Sequence, residues 1–211
     1  MSRDEAGLRC LPADEQARYW RITAPLRQRQ FLWGRIALRQ ALAEVTGLAP
    51  MQLSLAYQAD GKPYLANAPH LHFSLSHTDL QVWVAVDILP VGIDGERVRP
   101  GRDVLAIARR TWPAAEQAAL QETPPDARLL RFYTLWTRKE ALAKASGRGL
   151  MAVLAVDVTQ ETVDWADRHW HFHNLAAPEA YVATVACAAN GCMDFRQHRD
   201  TAPFSAPHRI E

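Results

Sequence analysis

Apolar positions near the start of the chain recur at helical spacing, and those further on alternate. Phe31, Leu38, Leu42 and Val45 fall on one stripe, which predicts a long helix over residues 26–46, opened after Pro25 and closed by Gly47. A shorter helix of mixed charged and aromatic residues precedes it over 13–23. The period then shortens to two. Residues 51–57 read as a strand and Asp60-Gly61-Lys62-Pro63 as a turn. Residues 71–75 and 81–88 read as strands joined by Ser76-His77-Thr78-Asp79. In the second of these Val82, Val84 and Val86 face one way, and Trp83, Ala85 and Asp87 the other. Val91 to Glu96, after Pro90, gives a further short strand.

Helical spacing returns over 103–111, again after Pro113, and over 127–146, where Gly147-Arg148-Gly149 ends it. Strand-like runs follow at 151–159, 169–175 and 180–188. The tail after Gly191 is polar and proline-bearing, and is expected to be poorly ordered. Both halves run from a long helix to short strands. The chain therefore reads as α+β, a pseudo-dimer of two similar subdomains. Each is a long helix packed on a small, mostly antiparallel sheet, with the active site between them. The expected boundaries are 1–100, 101–192 and a tail at 193–211.

With 211 residues, 48% hydrophobic and 22% charged, the composition is that of an ordinary globular protein. A net charge of +1 provides no global field for nucleic acid or a membrane surface. Cys10, Cys187 and Cys192 are odd in number and lack metal-site spacing, which fits free thiols in a reducing compartment. Met1-Ser2-Arg3-Asp4-Glu5 is polar and no apolar run is long enough to span a bilayer, so a cytoplasmic monomer is expected.

The chemistry concentrates in two places. Asp94 and Glu96 stand at i and i+2, which on a strand puts both on one face, about 7 Å apart. Val91 and Ile93 point the other way, and Gly95 between the acids removes bulk and lets a ligand approach. Alone, the pair reads first as a solvated strand face, and it is the flanking residues that favour a site. On the helix over 127–146, Phe132, Trp136, Glu140 and Lys144 form one i, i+4 row. Two aromatics turn that row inward, where Glu140 and Lys144 need partners. Three carboxylates and a lysine suit a hard divalent cation beside a phosphate.

Weaker signals surround these. Ser76-His77 follows a strand and offers hydroxyl and imidazole to a phosphate or nucleotide. Lys62, in a glycine–proline turn, is presented as a fixed point charge. Arg35 lies within the apolar stripe and must snorkel or meet an anion. His169, His171 and His173 share a strand face, with Trp170 and Phe172 on the other, and zinc is not expected there. The chain has no Gly-rich phosphate loop and no Gly-x-Ser-x-Gly elbow.

Taken in order, Gly61-Lys62-Pro63, Phe73-Ser74-Leu75-Ser76-His77, Val91-Gly92-Ile93-Asp94-Gly95-Glu96, Trp136-Thr137-Arg138-Lys139-Glu140-Ala141 and Lys144-Ala145-Ser146-Gly147-Arg148-Gly149-Leu150 resemble the Sfp-type 4′-phosphopantetheinyl transferases. The resemblance implies coenzyme A bound between two similar halves. It implies transfer of the phosphopantetheine arm, with Mg2+ or Mn2+, to a serine of an acyl or peptidyl carrier protein, releasing 3′,5′-ADP. Fatty-acid, polyketide and nonribosomal peptide carriers all stay open. By position, Asp94, Glu96 and Glu140 would be metal ligands. Lys62, Ser76, His77 and Lys144 would contact coenzyme A. A basic N-terminal residue, Arg18 with Arg21 close behind, would meet the 3′-phosphate. Glu140, Lys144 and His77 form the implied catalytic set, with Glu140 or a metal-bound water as the base.

Two departures stand out. Gly95 replaces the family's usual apolar residue between the acids. Tyr57 stands where some relatives place an arginine, for which Arg35 is the candidate replacement. The segment from Arg102 to Trp112, with Arg109 and Arg110, is a candidate surface for an acidic carrier helix. Two other readings compete. One is a magnesium phosphohydrolase acting on coenzyme A or a related nucleotide. The other is a non-catalytic module that binds coenzyme A or a carrier.

Overall fold

A computed structural model describes residues 3–58, 61–79 and 81–188. The expectations for Asp60, Cys192 and the tail at 193–211 lie outside them. Three helices open the chain: α1 (Arg3–Leu8), α2 (Ala13–Trp20) and α3 (Pro25–Thr46). A single 3-10 turn, Pro50–Gln52, leads to a small antiparallel pair, β1 (Leu55–Tyr57) and β2 (Pro63–Leu65). Next come β3 (His72–Thr78), β4 (Gln81–Asp87) and β5 (Val91–Arg97). Helices α4 (Val104–Thr111), α5 (Ala114–Glu122), α6 (Pro125–Ser146) and the short α7 (Leu150–Val153) follow. Strands β6 (Thr162–Trp165), β7 (Arg168–Leu175) and β8 (Tyr181–Cys187) complete the fold.

The two long helices repeat each other. Both α3 and α6 have 22 residues and begin on proline, whose fixed φ and missing N–H suit a first turn. Each ends on a left-handed glycine, Gly47 at φ 71° and Gly147 at φ 70°, whose N–H caps the carbonyl of Ala43 or Ala143. Helix α3 covers the antiparallel β3–β4 hairpin, burying Leu38, Leu42, Leu65 and Phe73 together. Helix α6 lies on β5 and β8, burying Phe132, Leu135, Leu142 and Trp170. Val45, expected on the buried stripe of α3, is exposed at the helix end. Among the described residues no helix is long and apolar enough to cross a membrane.

Strand β5 joins the halves. It pairs antiparallel with β8, Asp94 opposite Thr184, in a sheet ordered β5-β8-β7-β6. Along its other edge two side chains of β3 replace a backbone ladder. The N–H of Ile93 donates to Ser74 Oγ at 3.1 Å and that of Gly95 to Ser76 Oγ at 3.2 Å. The strand assigned to the first half from sequence is therefore hydrogen-bonded into the second.

Several element expectations are corrected. Ser76 and His77 belong to β3 rather than to the connection, because their backbones pair with Trp83 and Val82. Residues 51–54 are not strand, and β2 and β6 were not foreseen. Residues 151–159 form no strand, although Leu154, Val156 and Val158 are buried at alternating positions. Their carbonyls are taken by side chains: those of Leu154 and Val156 by Lys139, and those of Val158, Thr159 and Gln160 by Arg138.

Candidate active site

Close approach of α6 to β5 creates the site. A β-carbon built at Gly92 would overlap the backbone oxygen of Ala141, so only glycine lets the helix settle there. Asp94 and Glu96 follow on the same strand face, turned toward α6. Lys144 reaches across from the helix. Its ammonium donates to Asp94 Oδ1 at 2.7 Å and to the carbonyl of Ile93 at 3.1 Å. Ser76 donates its hydroxyl to the same Oδ1 at 2.9 Å.

Asp94 is 4% exposed, and its other oxygen, Oδ2, is buried with no hydrogen-bond partner. Glu96 and Glu140 are half-buried. Burial pushes both carboxyls above the usual range. The charge of Asp94 adds to the shift in each, that of Glu140 adds further for Glu96, and Lys144 opposes it. The charge of Asp94 thus repels both other acids, while its own Oδ2 is buried without a partner. An all-oxygen set of this kind suits a hard divalent cation. Among the described residues no three His, Cys, Asp or Glu side chains are already grouped as a ready-made metal site. The fit rests on the unpartnered Oδ2 and the shared electrostatic strain.

The remaining predicted residues divide. His77 is exposed at the rim, and surrounding protein lowers its pKa, with Lys144 and Arg27 pushing the same way. Arg27, on α3, was missed in the sequence because nothing local marks it. Ser76 is 6% exposed and turned toward Asp94. Lys62 donates to the carbonyls of Lys144 at 3.0 Å and Ala145 at 3.5 Å, at the end of α6. It also borders a cavity of about 550 Å³ between the halves, along with His72, Arg148, Arg168 and Trp170.

Arg18 and Arg35 meet elsewhere, on the hydroxyl of Tyr57, which accepts from them at 2.9 and 2.6 Å. Both guanidiniums also lie 5.5 Å from the ring centre of Phe31. Arg35 is buried and lies 3.7 Å from Glu15, whose other oxygen binds Arg39 at 2.8 Å. Glu15 thus lies close enough to offset the charge of Arg35, although its Oε1 makes no hydrogen bond. Arg18 is exposed, and among the described residues no carboxylate lies within ion-pair distance of it.

Gly95 does not open the strand to a ligand. A β-carbon there would overlap the ring of Trp83, which packs against that face. The histidine row on β7 does have an acid beside it, Asp164 of β6, 2.7 Å from His169. Asp164 stands only five residues before His169, and the β6–β7 pairing sets the two opposite each other. In the segment expected to meet a carrier, Arg109 and Arg110 are exposed. Trp112 is buried, stacked 4.9 Å from Phe132.

Residues 90–186 match the family described as the 4′-phosphopantetheinyl transferase superfamily, and residues 3–88 match the one described as 4′-phosphopantetheinyl transferase, N-terminal. A Bacillus subtilis protein named 4′-phosphopantetheinyl transferase is 40% identical over 167 residues, covering 75% of this chain and 73% of its own length. HetI of Nostoc sp., also named a 4′-phosphopantetheinyl transferase, is 32% identical over 189 residues, covering 86% of this chain and 80% of its own. Sfp of Bacillus subtilis is 33% identical over 119 residues, 56% of this chain and 52% of its own.

Proposed function

Because this chain belongs to the 4′-phosphopantetheinyl transferase superfamily, matched in both halves, we propose that it moves the phosphopantetheine arm of coenzyme A onto a serine of an acyl or peptidyl carrier protein. The new bond joins the serine oxygen to the β-phosphorus. The bond that breaks is the pyrophosphate link, and 3′,5′-ADP departs. The observation that supports this reading is the buried, unpartnered Oδ2 of Asp94, a residue whose Oδ1 is held by Lys144 and whose charge is felt by two further acids.

Asp94, Glu96 and Glu140 are the residues that would hold Mg2+, or Mn2+ in its place. When bound, the cation supplies charge neutralisation and Lewis acidity at the pyrophosphate. The side chains do the rest. Lys144 stands where it can donate to a phosphate oxygen as charge shifts to the leaving group. His77 offers a ring N–H at the rim, and Arg18 an exposed guanidinium, held by Tyr57, to an outer phosphate. Glu140 serves first as a holder of the cation, and either Glu140 or a water in the site would receive the serine proton. Arg109 and Arg110 offer exposed positive charge to an acidic carrier helix. The free thiols of Cys10 and Cys187 suit a cytoplasmic setting, and we assign the protein there as a monomer.

The test is mass spectrometry of an apo-carrier protein incubated with the protein, coenzyme A and Mg2+. The expected result is a carrier heavier by one phosphopantetheine, with 3′,5′-ADP released in equal amount and no reaction in excess chelator. Cleavage of coenzyme A without any change in the carrier would replace this reading with the phosphohydrolase.

A further inference from the structure

Helix α6 carries the run Trp136-Thr137-Arg138-Lys139-Glu140, and the proposed function uses only its last residue. Successive residues turn by about 100° around a helix axis, so each of the five faces a different neighbour. Trp136 stacks 6.3 Å from Phe132 on the same helix. Thr137 meets Thr184 of β8 at 2.9 Å. Arg138 binds three consecutive carbonyls, of Val158, Thr159 and Gln160, at 2.9, 3.1 and 2.8 Å.

Lys139 is the unusual member, at 0% exposed. Its ammonium donates to the carbonyls of Leu154 at 3.0 Å and Val156 at 2.6 Å, and to Glu116 Oε1 at 2.9 Å. Those three bonds use all its protons. Glu116, also 0% exposed, lies on α5, and the same oxygen accepts the N–H of Val158 at 2.9 Å. One buried cation and one buried acid thus tie α5, α6 and the 154–158 segment together. Burial drives the pKa of Lys139 down and that of Glu116 up, so desolvation works against the charged pair. An apolar pair of similar volume holds a core equally well or better. What the charged pair adds is direction.

We propose that Lys139 and Glu116 are positioning residues that fix the rotation of α6 about its axis, so that Glu140, the next residue, faces Asp94 and Glu96. The inference rests on the reading that these three acids work together. Gly92 sets how closely α6 approaches β5, and the Lys139 clamp sets which side chain the helix turns toward the strand. A misplacement of about 1 Å at a reacting group can cost about a hundredfold in rate.

The experiment uses the full chain and two variants, Lys139→Met and Glu116→Gln. Three quantities are measured: thermal unfolding, Mn2+ affinity by titration calorimetry, and kcat and KM for coenzyme A. Loss of an outer-shell partner weakens a metal site by about 10–100-fold. A loss of that size in Mn2+ affinity is expected for a folded Lys139→Met, with a fall in kcat and KM changed by no more than about twofold. Glu116→Gln keeps an acceptor for Lys139 and Val158, so its loss should be smaller in the same direction. A lowered melting temperature with Mn2+ affinity and kcat at the wild-type level would reduce the pair to a structural role and overturn the proposal. Should Lys139→Met not fold, Glu116→Gln decides by the same measurements. Wild-type protein that binds Mn2+ but transfers nothing would end the functional reading, while the affinities would still decide the positioning. Wild-type protein that binds no Mn2+ would overturn the positioning proposal.

Discussion

The ring of Trp83 fills the space that a side chain at Gly95 would occupy. Trp83 stands on β4 opposite Ser76, and Gly95 stands between the two acids of β5. The bulk that relatives are expected to carry on β5 is supplied here from the neighbouring hairpin. Gly95→Ile should destabilise the protein by about 1–3 kcal/mol or more through overpacking, and Trp83→Ala by about 3–5 kcal/mol through the cavity left behind. Combined, the two changes should offset each other. Urea unfolding of all three variants measures this, and effects that add within about 0.5 kcal/mol would show that the sites are not coupled.

Ser76 is predicted to act on Asp94 rather than on coenzyme A. Ser76→Ala removes one of the two donors that hold Oδ1 and leaves the carboxylate free to turn. Divalent-cation affinity should fall by about tenfold, and KM for coenzyme A should hold. A rise in KM with unchanged cation affinity would return Ser76 to the phosphate contacts.

Arg18 and Arg35 share Tyr57 but should respond oppositely. Arg35→Ala takes a partner from buried Glu15 and should cost about 1–3 kcal/mol in stability. Arg18→Ala should leave the melting temperature unchanged and raise KM for coenzyme A. Dephospho-coenzyme A separates the phosphates. An Arg18 variant that still discriminates against it as the wild type does would show that another residue reads the 3′-phosphate.

The raised carboxyls of Glu96 and Glu140 give a signed dependence on pH. A carboxyl whose pKa is higher folded than unfolded adds stability that is full below the unfolded value and lost as pH rises through the folded one. Without divalent cation, Glu140→Gln should therefore melt above the wild type at neutral pH, and the two should converge as pH falls toward the ordinary carboxylate range. Added Mg2+ should raise the wild type more than the variant. Thermal scans across pH, with and without Mg2+, read this directly, and parallel curves would refute it.

The two long helices were legible because proline, glycine and an apolar stripe are local signals. Asp94 and Glu96 could be singled out because their spacing fixes a shared face of one strand, and Glu140 because it falls on one i, i+4 row of a helix with Trp136 and Lys144. What escaped depends on partners distant in sequence. Val158 finds Glu116 at a separation of 42 residues, so an alternating apolar run that reads as a strand becomes a segment held by side chains. Tyr57 meets Arg18 across 39 residues, and no period in the sequence announces that encounter. Ser76 was placed in the right neighbourhood, but which way its hydroxyl turned was decided by β5, a strand whose position the sequence did not reveal.

Strand β5 is continuous in the chain with the first hairpin and hydrogen-bonded into the second sheet, with Ser74 and Ser76 closing its free edge. A cut near Pro90, between the two matched segments, therefore falls where the molecule is least modular. Neither half can be traded between relatives as a cassette unless Ser74, Ser76 and Trp83 travel with the strand they were fitted to. Recombination at that boundary would separate Asp94 and Glu96 from the β3 serines that hold their strand.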